Sequence, residues 1–395
     1  MENYIIYLFY LSTLLVLGIL ATAVSNKFRL SNILFLVLIG YGLKSTGLDF
    51  FDEEIILVLS ALALILIVLE TTIRLELTGI MKNFIQVLKY NIVFLIISSY
   101  IITLSVYVLF DIPGKGFEVF ILCLLLSFII YGIDPIIATE FFPVKKSKVH
   151  DILEIEGILS GPIVVIFSFF VIDYLNSSIS NFTIDIFSTL IMIIRQVGLA
   201  VIIGIIIAFV VYKLIKNYPT TRELSALFII TIAILTFVIG EIMLTNATIA
   251  VAVYGIMLKG LLKDNISPQY TSMISHILYI IVFILFGIEF FFPEAVLWLK
   301  GIALFIAYLV LRFMCILLFM KELNYRQKFF MTFNVAKGIE VALIMFIMKI
   351  NFSHIEGINL ILSIGFMFFV FSYIVSTLVN HFNEYFIKER SKIEQ

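Results

Sequence analysis

Gly132-Ile133-Asp134-Pro135, set inside an otherwise apolar run, is the stretch whose reading decides the fold. Proline removes a backbone donor and interrupts a helix, and hydrocarbon offers no water to the groups so freed. A carboxylate at such depth costs roughly 2.5–3.5 kcal/mol or more, so it faces protein or a water-filled cavity. A broken helix with a charge at its break is the architecture of an ion or substrate site in a secondary transporter. The simpler reading is a kinked helix with one buried, hydrogen-bonded Asp134.

The surrounding composition demands a membrane. Of 395 residues, 62% are hydrophobic and only 13% charged, with a mean hydropathy of +1.17. A globular domain is about 45–50% apolar and could not hide this much oily surface. The fold class is therefore an all-α polytopic membrane protein, with the lipid bilayer as its first partner. A net charge of −1 gives no reason to expect nucleic acid. Cys123 and Cys315 both lie in apolar runs and the histidines are scattered, so no disulfide, metal site or cofactor is expected. No nucleophile–base pair or paired catalytic carboxylates stand out, so an enzyme is not expected. The first apolar run, about 4–25, lacks a basic leader and is too long for a cleaved signal; it reads as a span.

At roughly 20 apolar residues per crossing, the chain holds about thirteen spans. Their approximate limits are 4–25, 30–43, 54–73, 84–110, 117–140, 152–173, 186–214, 223–244, 246–262, 270–292, 296–319, 327–350 and 357–383. With the N-terminus outside, basic residues collect within: Lys27 and Arg29, Arg74 with Lys82 and Lys89, Lys145, Lys146 and Lys148, then Lys213, Lys216 and Arg222. Lys259 and Lys263, Lys321, Arg326 and Lys328, and the tail Lys388, Arg390 and Lys392 complete that side. Outside stand only Lys44, Lys115, Lys300 and Lys349, beside acids such as Asp52, Glu53 and Glu54. This asymmetry fits the positive-inside rule, an odd number of spans and a cytoplasmic C-terminus in a plasma-membrane protein. The tail, 384–395, is short, and no soluble module is expected after the last span.

Deep charges gather in three spans. The fifth carries Asp134-Pro135, the sixth Glu154 and Glu156 before Ser160-Gly161-Pro162, and the twelfth Lys337-Gly338-Ile339-Glu340. The fifth and twelfth run in opposite senses and each has a glycine beside its charge, Gly132 and Gly338. Inverted repeats with two crossing discontinuous helices follow that pattern. Helix breaks are expected at Gly132/Pro135, Gly161/Pro162 and Gly338, where half-helix ends present unpaired N–H and C=O groups. Asp134 suits the positive ends and Lys337 the negative ones.

On these motifs the chain resembles the monovalent cation/proton antiporter superfamily, near the thirteen-helix Na⁺/H⁺ exchangers. That family has Thr-Asp-Pro in its fifth helix, a Glu followed by Asn-Asp in its sixth and Arg-Gly in its twelfth. Here the counterparts are Ile133-Asp134-Pro135, Glu156 with Ser160-Gly161-Pro162, and Lys337-Gly338. Glu70, in Val68-Leu69-Glu70-Thr71-Thr72-Ile73-Arg74, is similar to an acidic signature in the third helix, and Asn246-Ala247-Thr248 to the start of the ninth. The resemblance implies a monovalent cation and a proton as substrates, and a homodimer. It implies a dimerisation unit of helices 1–3 and 8–10 (about 4–73 and 223–292) and a core of helices 4–6 and 11–13 (about 84–173 and 296–383). Helix 7, about 186–214, would link them, and the core would move like an elevator.

Departures from the family bear on the site. The family's ion-binding Asp is Gly161 here, its neighbouring Asn is Ser160, and the fifth-helix Thr is Ile133. A dehydrated Na⁺ or K⁺ needs several oxygens, and three expected donors have become a short hydroxyl, a hydrogen and an alkyl group. The alternative function is thus a family member that has lost exchange and serves as a channel-like, regulatory or other-substrate protein. Glu156 and Lys337 read as a structural ion pair implied by the family; otherwise Lys337 itself carries the proton. Glu340, three residues on, can pair with Lys337 by helical spacing and leave Glu156 to titrate. Glu70 is expected either at a cytoplasmic funnel or in a local pair with Arg74. Arg312 reads as snorkelling, with no function assigned.

Overall fold

The computed structural model describes residues 3–28, 30–44, 51–74, 77–114, 116–133, 148–177, 186–217, 221–262 and 268–387. Asp134 and Pro135 lie outside these ranges. Within them every regular element is helical. The helices are α1 (Asn3–Phe28), α2 (Asn32–Lys44), α3 (Glu53–Arg74), α4 (Leu77–Leu109), α5 (Phe117–Tyr131), α6 (Lys148–Ser177), α7 (Ile186–Asn217) and α8 (Arg222–Ile242). They continue with α9 (Ala247–Leu262), α10 (Pro268–Glu289), α11 (Ala295–Phe319), α12 (Tyr325–Phe333), α13 (Ile339–Asn351), α14 (Ile358–His381) and α15 (Asn383–Ile387). A helix lies over each interval expected to span, the twelfth in two pieces.

Eight of these helices among the described residues are long and apolar enough to cross a membrane: α1, α3, α4, α6, α7, α8, α11 and α14. Their outward faces are oily. On α11, Val296, Leu299, Ile306, Val310 and Leu318 are all exposed, and on α7 Ile194, Ile202 and Phe209 are. A water-soluble protein rarely tolerates such continuous stripes, whereas lipid accepts them. The chain is a multi-pass membrane protein.

Lipid gives apolar helices no hydrophobic reason to associate, so close packing must hold them together. The α2–α10 contact shows how. A Cβ on Gly40 would sit 2.9 Å from the Ile284 carbonyl carbon, and one on Gly287 would sit 2.9 Å from Tyr41 N. The two backbones touch because neither glycine has a side chain. Around this pair α1 packs on α2 and α10, and α3 lies against α9 and α10. α9 packs in turn on α7 and α8. Elsewhere α4 contacts α5, α6 and α11, while α14 packs on α5 and α11. α13 touches members of both sets, including α3, α10, α6 and α14. Phe286 of α10 anchors that junction, with ring centroids 4.7 Å from Phe369, 5.6 Å from Phe366 and 5.9 Å from Phe346.

Two local features decide where the site lies. The first is that α6 is continuous through Gly161 and Pro162, so the break expected there does not occur. A proline deletes one helical hydrogen bond, and in a packed bundle the flanking turns persist. The second is a true interruption between α12 and α13. α12 opens with a capping box, in which Asn324 accepts from Gln327 N–H (2.9 Å) and Gln327 Oε1 accepts from Asn324 N–H (3.1 Å). It stops at Phe333, residues 334–338 are non-helical, and α13 restarts after the extended Gly338. α5 also stops at Tyr131, where Gly132 turns away with φ −55 and ψ 143.

Candidate functional site

An interrupted span leaves carbonyls without helical donors, and in a buried site each needs a partner. Arg312 of α11 supplies two of them. Its Nη2 donates to Met331 O (3.0 Å) and Asn334 O (3.3 Å), and its Nε to Met331 O (3.3 Å). From α14, Ser376 donates to Phe333 O (3.1 Å) and accepts from Val335 N–H (2.9 Å). Tyr373 donates to Lys337 O. The amides of Asn334 and Asn380 bond each other reciprocally at 3.0 and 3.2 Å. The break is thus an ordered structure tied off by side chains of neighbouring helices.

Arg312 also grips Glu156 of α6 in a bidentate fork, Nη1–Oε1 2.6 Å and Nη2–Oε2 3.0 Å, with both side chains fully buried. This corrects two expectations. Glu156 is paired with Arg312 rather than Lys337, because a planar guanidinium matches both carboxylate oxygens while also serving the break. Nor does Arg312 snorkel: it points into the bundle. Sequence reasoning missed it, although an arginine well inside a 25-residue apolar helix is itself a signal of an interior partner.

Lys337 is buried and donates to Ile130 O, near the C-terminal end of α5, and to Tyr308 Oη at 3.1 Å. A cation there meets the negative end of a helix. It pairs with neither Glu156 nor Glu340. The helical i,i+3 argument for Glu340 fails because the break ends between them, with Lys337 in the extended segment and Glu340 in the first turn of α13. Ser160 donates to Ile133 O (3.0 Å) and accepts from Ile133 N–H (3.3 Å), so one hydroxyl closes the chain where it leaves α5. Gly132 allows the close approach there, since its Cβ would lie 2.8 Å from Val164 Cγ2.

Glu340 occupies a different setting. It is 7% exposed, and its Oε1 has no hydrogen-bond partner among the described residues. Its carboxylate folds back over Gly338, into the space a Cβ there would need. It lines a cleft between α3, α9 and α10 on one side and α6 and α13 on the other. Thr71 and Tyr279 line the first side, and Ile158, Gly161 and Pro162 line the second with Glu340. Glu70 is buried on α3 but does not line the cleft. The side chain of its expected partner Arg74, like Asp134 and Pro135, lies outside what is described.

The sequence matches the family described as "Sodium/hydrogen exchanger, transmembrane" over residues 11–381. No curated protein sequence matches it. Among solved structures, the fold is similar to the sodium proton antiporter MjNhaP1 from Methanocaldococcus jannaschii. One structure of that protein, at pH 8, superposes with a TM-score of 0.76 at 18% identity, covering 98% of this chain and 100% of the other. A second, from electron microscopy, gives 0.80 at 18% identity and covers 100% of both.

Proposed function

The chain belongs to the sodium/hydrogen exchanger family, and on that premise we propose that it exchanges a monovalent cation, Na⁺ or K⁺, for protons across the plasma membrane. The observation that carries this reading is the ordered break at 334–338. Its backbone is held by Arg312, Ser376 and Tyr373, and it abuts a cleft that reaches a buried acid. A transporter needs an irregular, charged segment at the membrane interior that is rigid yet reachable from one side at a time.

Roles follow from the contacts. Glu156–Arg312 and Lys337 act as scaffold: they fix the break and the end of α5, Glu156 and Arg312 by pairing with each other and Lys337 by donating to Ile130 O and Tyr308. Ser160 serves the same purpose and is not an ion ligand. Helices α4–α6 and α11–α14 form the moving core in this proposal, and α1–α3 with α8–α10 the unit that dimerises, α7 linking them. The cleft then lies along their sliding boundary. The N-terminus is outside and the C-terminus cytoplasmic.

Purified protein in proteoliposomes loaded with a pH-sensitive dye tests the proposal. Addition of Li⁺, Na⁺ or K⁺ should drive proton movement. Folded protein that responds to none of the three would instead favour a family member that has lost exchange.

A further inference from the structure

We infer that the carboxylate which alternates between cation and proton is Glu340, carried by α13, in place of an acid on the sixth span. The inference rests on the antiport reading above and assigns its chemistry to one side chain.

Three independent features converge on Glu340. Its Oε1 is buried without a partner among the described residues, although the carboxylate also draws on the backbone N–H groups of Gly338 and Glu340; Glu156, Arg312 and Lys337 are each engaged by side chains or carbonyls. A buried carboxylate oxygen left bare is costly unless something binds it part of the time, and a proton or a cation would serve. Next, position 161 is empty in its direction. A Cβ on Gly161 would have Glu340 Cδ at 3.9 Å and no other atom within 4 Å. The volume a longer residue at 161 would enter is bordered by the carboxylate of Glu340. Finally, Gly338 makes the pose possible, because a side chain there would collide with that carboxylate.

Two neutral oxygens belong to residues that line the same cleft. Pro162 has no N–H, so the carbonyl of Ile158, one turn earlier on α6, loses its helical donor. Both residues line the cleft with Glu340. On the facing wall, Thr71 gives its hydroxyl hydrogen to Ile67 O (2.9 Å) or Val68 O (3.0 Å), leaving its oxygen lone pairs available. One carboxylate with a carbonyl and a hydroxyl is a donor set for a hard monovalent cation losing part of its water. On binding, the carboxyl O–H bond breaks, one proton leaves and one cation takes its place, so charge balances. Of the charges packed near it, Glu156 and Arg312 offset each other, and Lys337, although it donates to Ile130 O and Tyr308, still attracts the carboxylate through its positive charge.

The test runs wild-type protein, E340Q and E340D in the dye-loaded vesicles with Li⁺, Na⁺ and K⁺. It also follows melting in detergent as each cation is added. E340Q should lose about tenfold or more of the cation-driven flux. It should also lose the cation-dependent rise in melting temperature, while its melting temperature without cation matches wild type. E340D should keep flux with a shifted half-saturating cation concentration. Wild-type flux that persists within about twofold in E340Q, or undiminished cation stabilisation in that variant, overturns the inference and leaves antiport standing. Should E340Q not fold, an unchanged half-saturation in E340D overturns it. Absence of flux in the wild type sinks antiport instead, and cation stabilisation, kept or lost in E340Q, still decides the role of Glu340.

Discussion

Arg312 offers the most quantitative test, because one side chain serves both an ion pair and a helix break. Replacing Glu156 by Gln leaves a buried guanidinium uncompensated, which costs ~3–5 kcal/mol. Arg312→Met strands the Glu156 carboxylate at a similar cost. It also removes the donor from Met331 O and Asn334 O, and an orphaned buried acceptor costs ~1–3 kcal/mol each. Arg312→Met should therefore exceed Glu156→Gln by about 2–6 kcal/mol. The double variant Glu156→Leu with Arg312→Met removes both charges of this pair and keeps only the two stranded carbonyls. It should be more stable than Arg312→Met alone by ~3–5 kcal/mol. Cys123 and Cys315 are free and buried, so a thiol-reactive fluorophore reports unfolding, and the melting order can be read directly. A double variant that melts below Arg312→Met would refute the reasoning, as would equal melting of the two single variants.

Four further outcomes are expected. Lys337→Met withdraws a charged donor from the carbonyl of Ile130 and should destabilise by ~1.5–3 kcal/mol in the same melt. Ser160→Ala leaves Ile133 N–H and C=O unpaired together, so a loss of ~1–3 kcal/mol with ion selectivity unchanged in the flux assay is expected. Gly287→Val drives a branched side chain into the backbone of α2 and should abolish monodisperse protein on size exclusion, whereas Gly42→Ala, with nothing within 4 Å, should not. The Lys349–Glu289 pair joins α13 to α10 at partly exposed positions, so Glu289→Gln should cost ~1 kcal/mol or less in the melt.

Much of this architecture was legible in the sequence. Hydropathy located the helices because lipid imposes a single rule on every span, and Gly338 marked a real interruption. The partners were not legible. Glu156 and Arg312 are 156 residues apart, and no local periodicity links them; the depth of Arg312 in an apolar helix points it inward but names no partner. Pro162 misled for a related reason: a proline reports one missing donor, and whether the helix then stops depends on packing. Spacing failed for Lys337 and Glu340 because three residues apart means one face only within an unbroken helix. Glu340 was noticed as a charge, yet its position opposite Gly161 comes from the way α13 meets α6, which no one-dimensional pattern contains.

The lysine of one interruption is fastened to the end of another helix. Lys337, in the gap before α13, holds a carbonyl of α5, and Ser160 of α6 clasps the residue where α5 gives way. Sliding α13 by one turn relative to α5 would strip a buried oxygen of its ammonium, and sliding α6 would strip Ile133 of both its bonds. These pieces are keyed like the wards of a lock, so any translocation must carry them together. The compliance of the molecule then resides in the largely apolar α3–α13 and α10–α13 seams, where the partly exposed Lys349–Glu289 pair is a polar tie that sliding would have to remake.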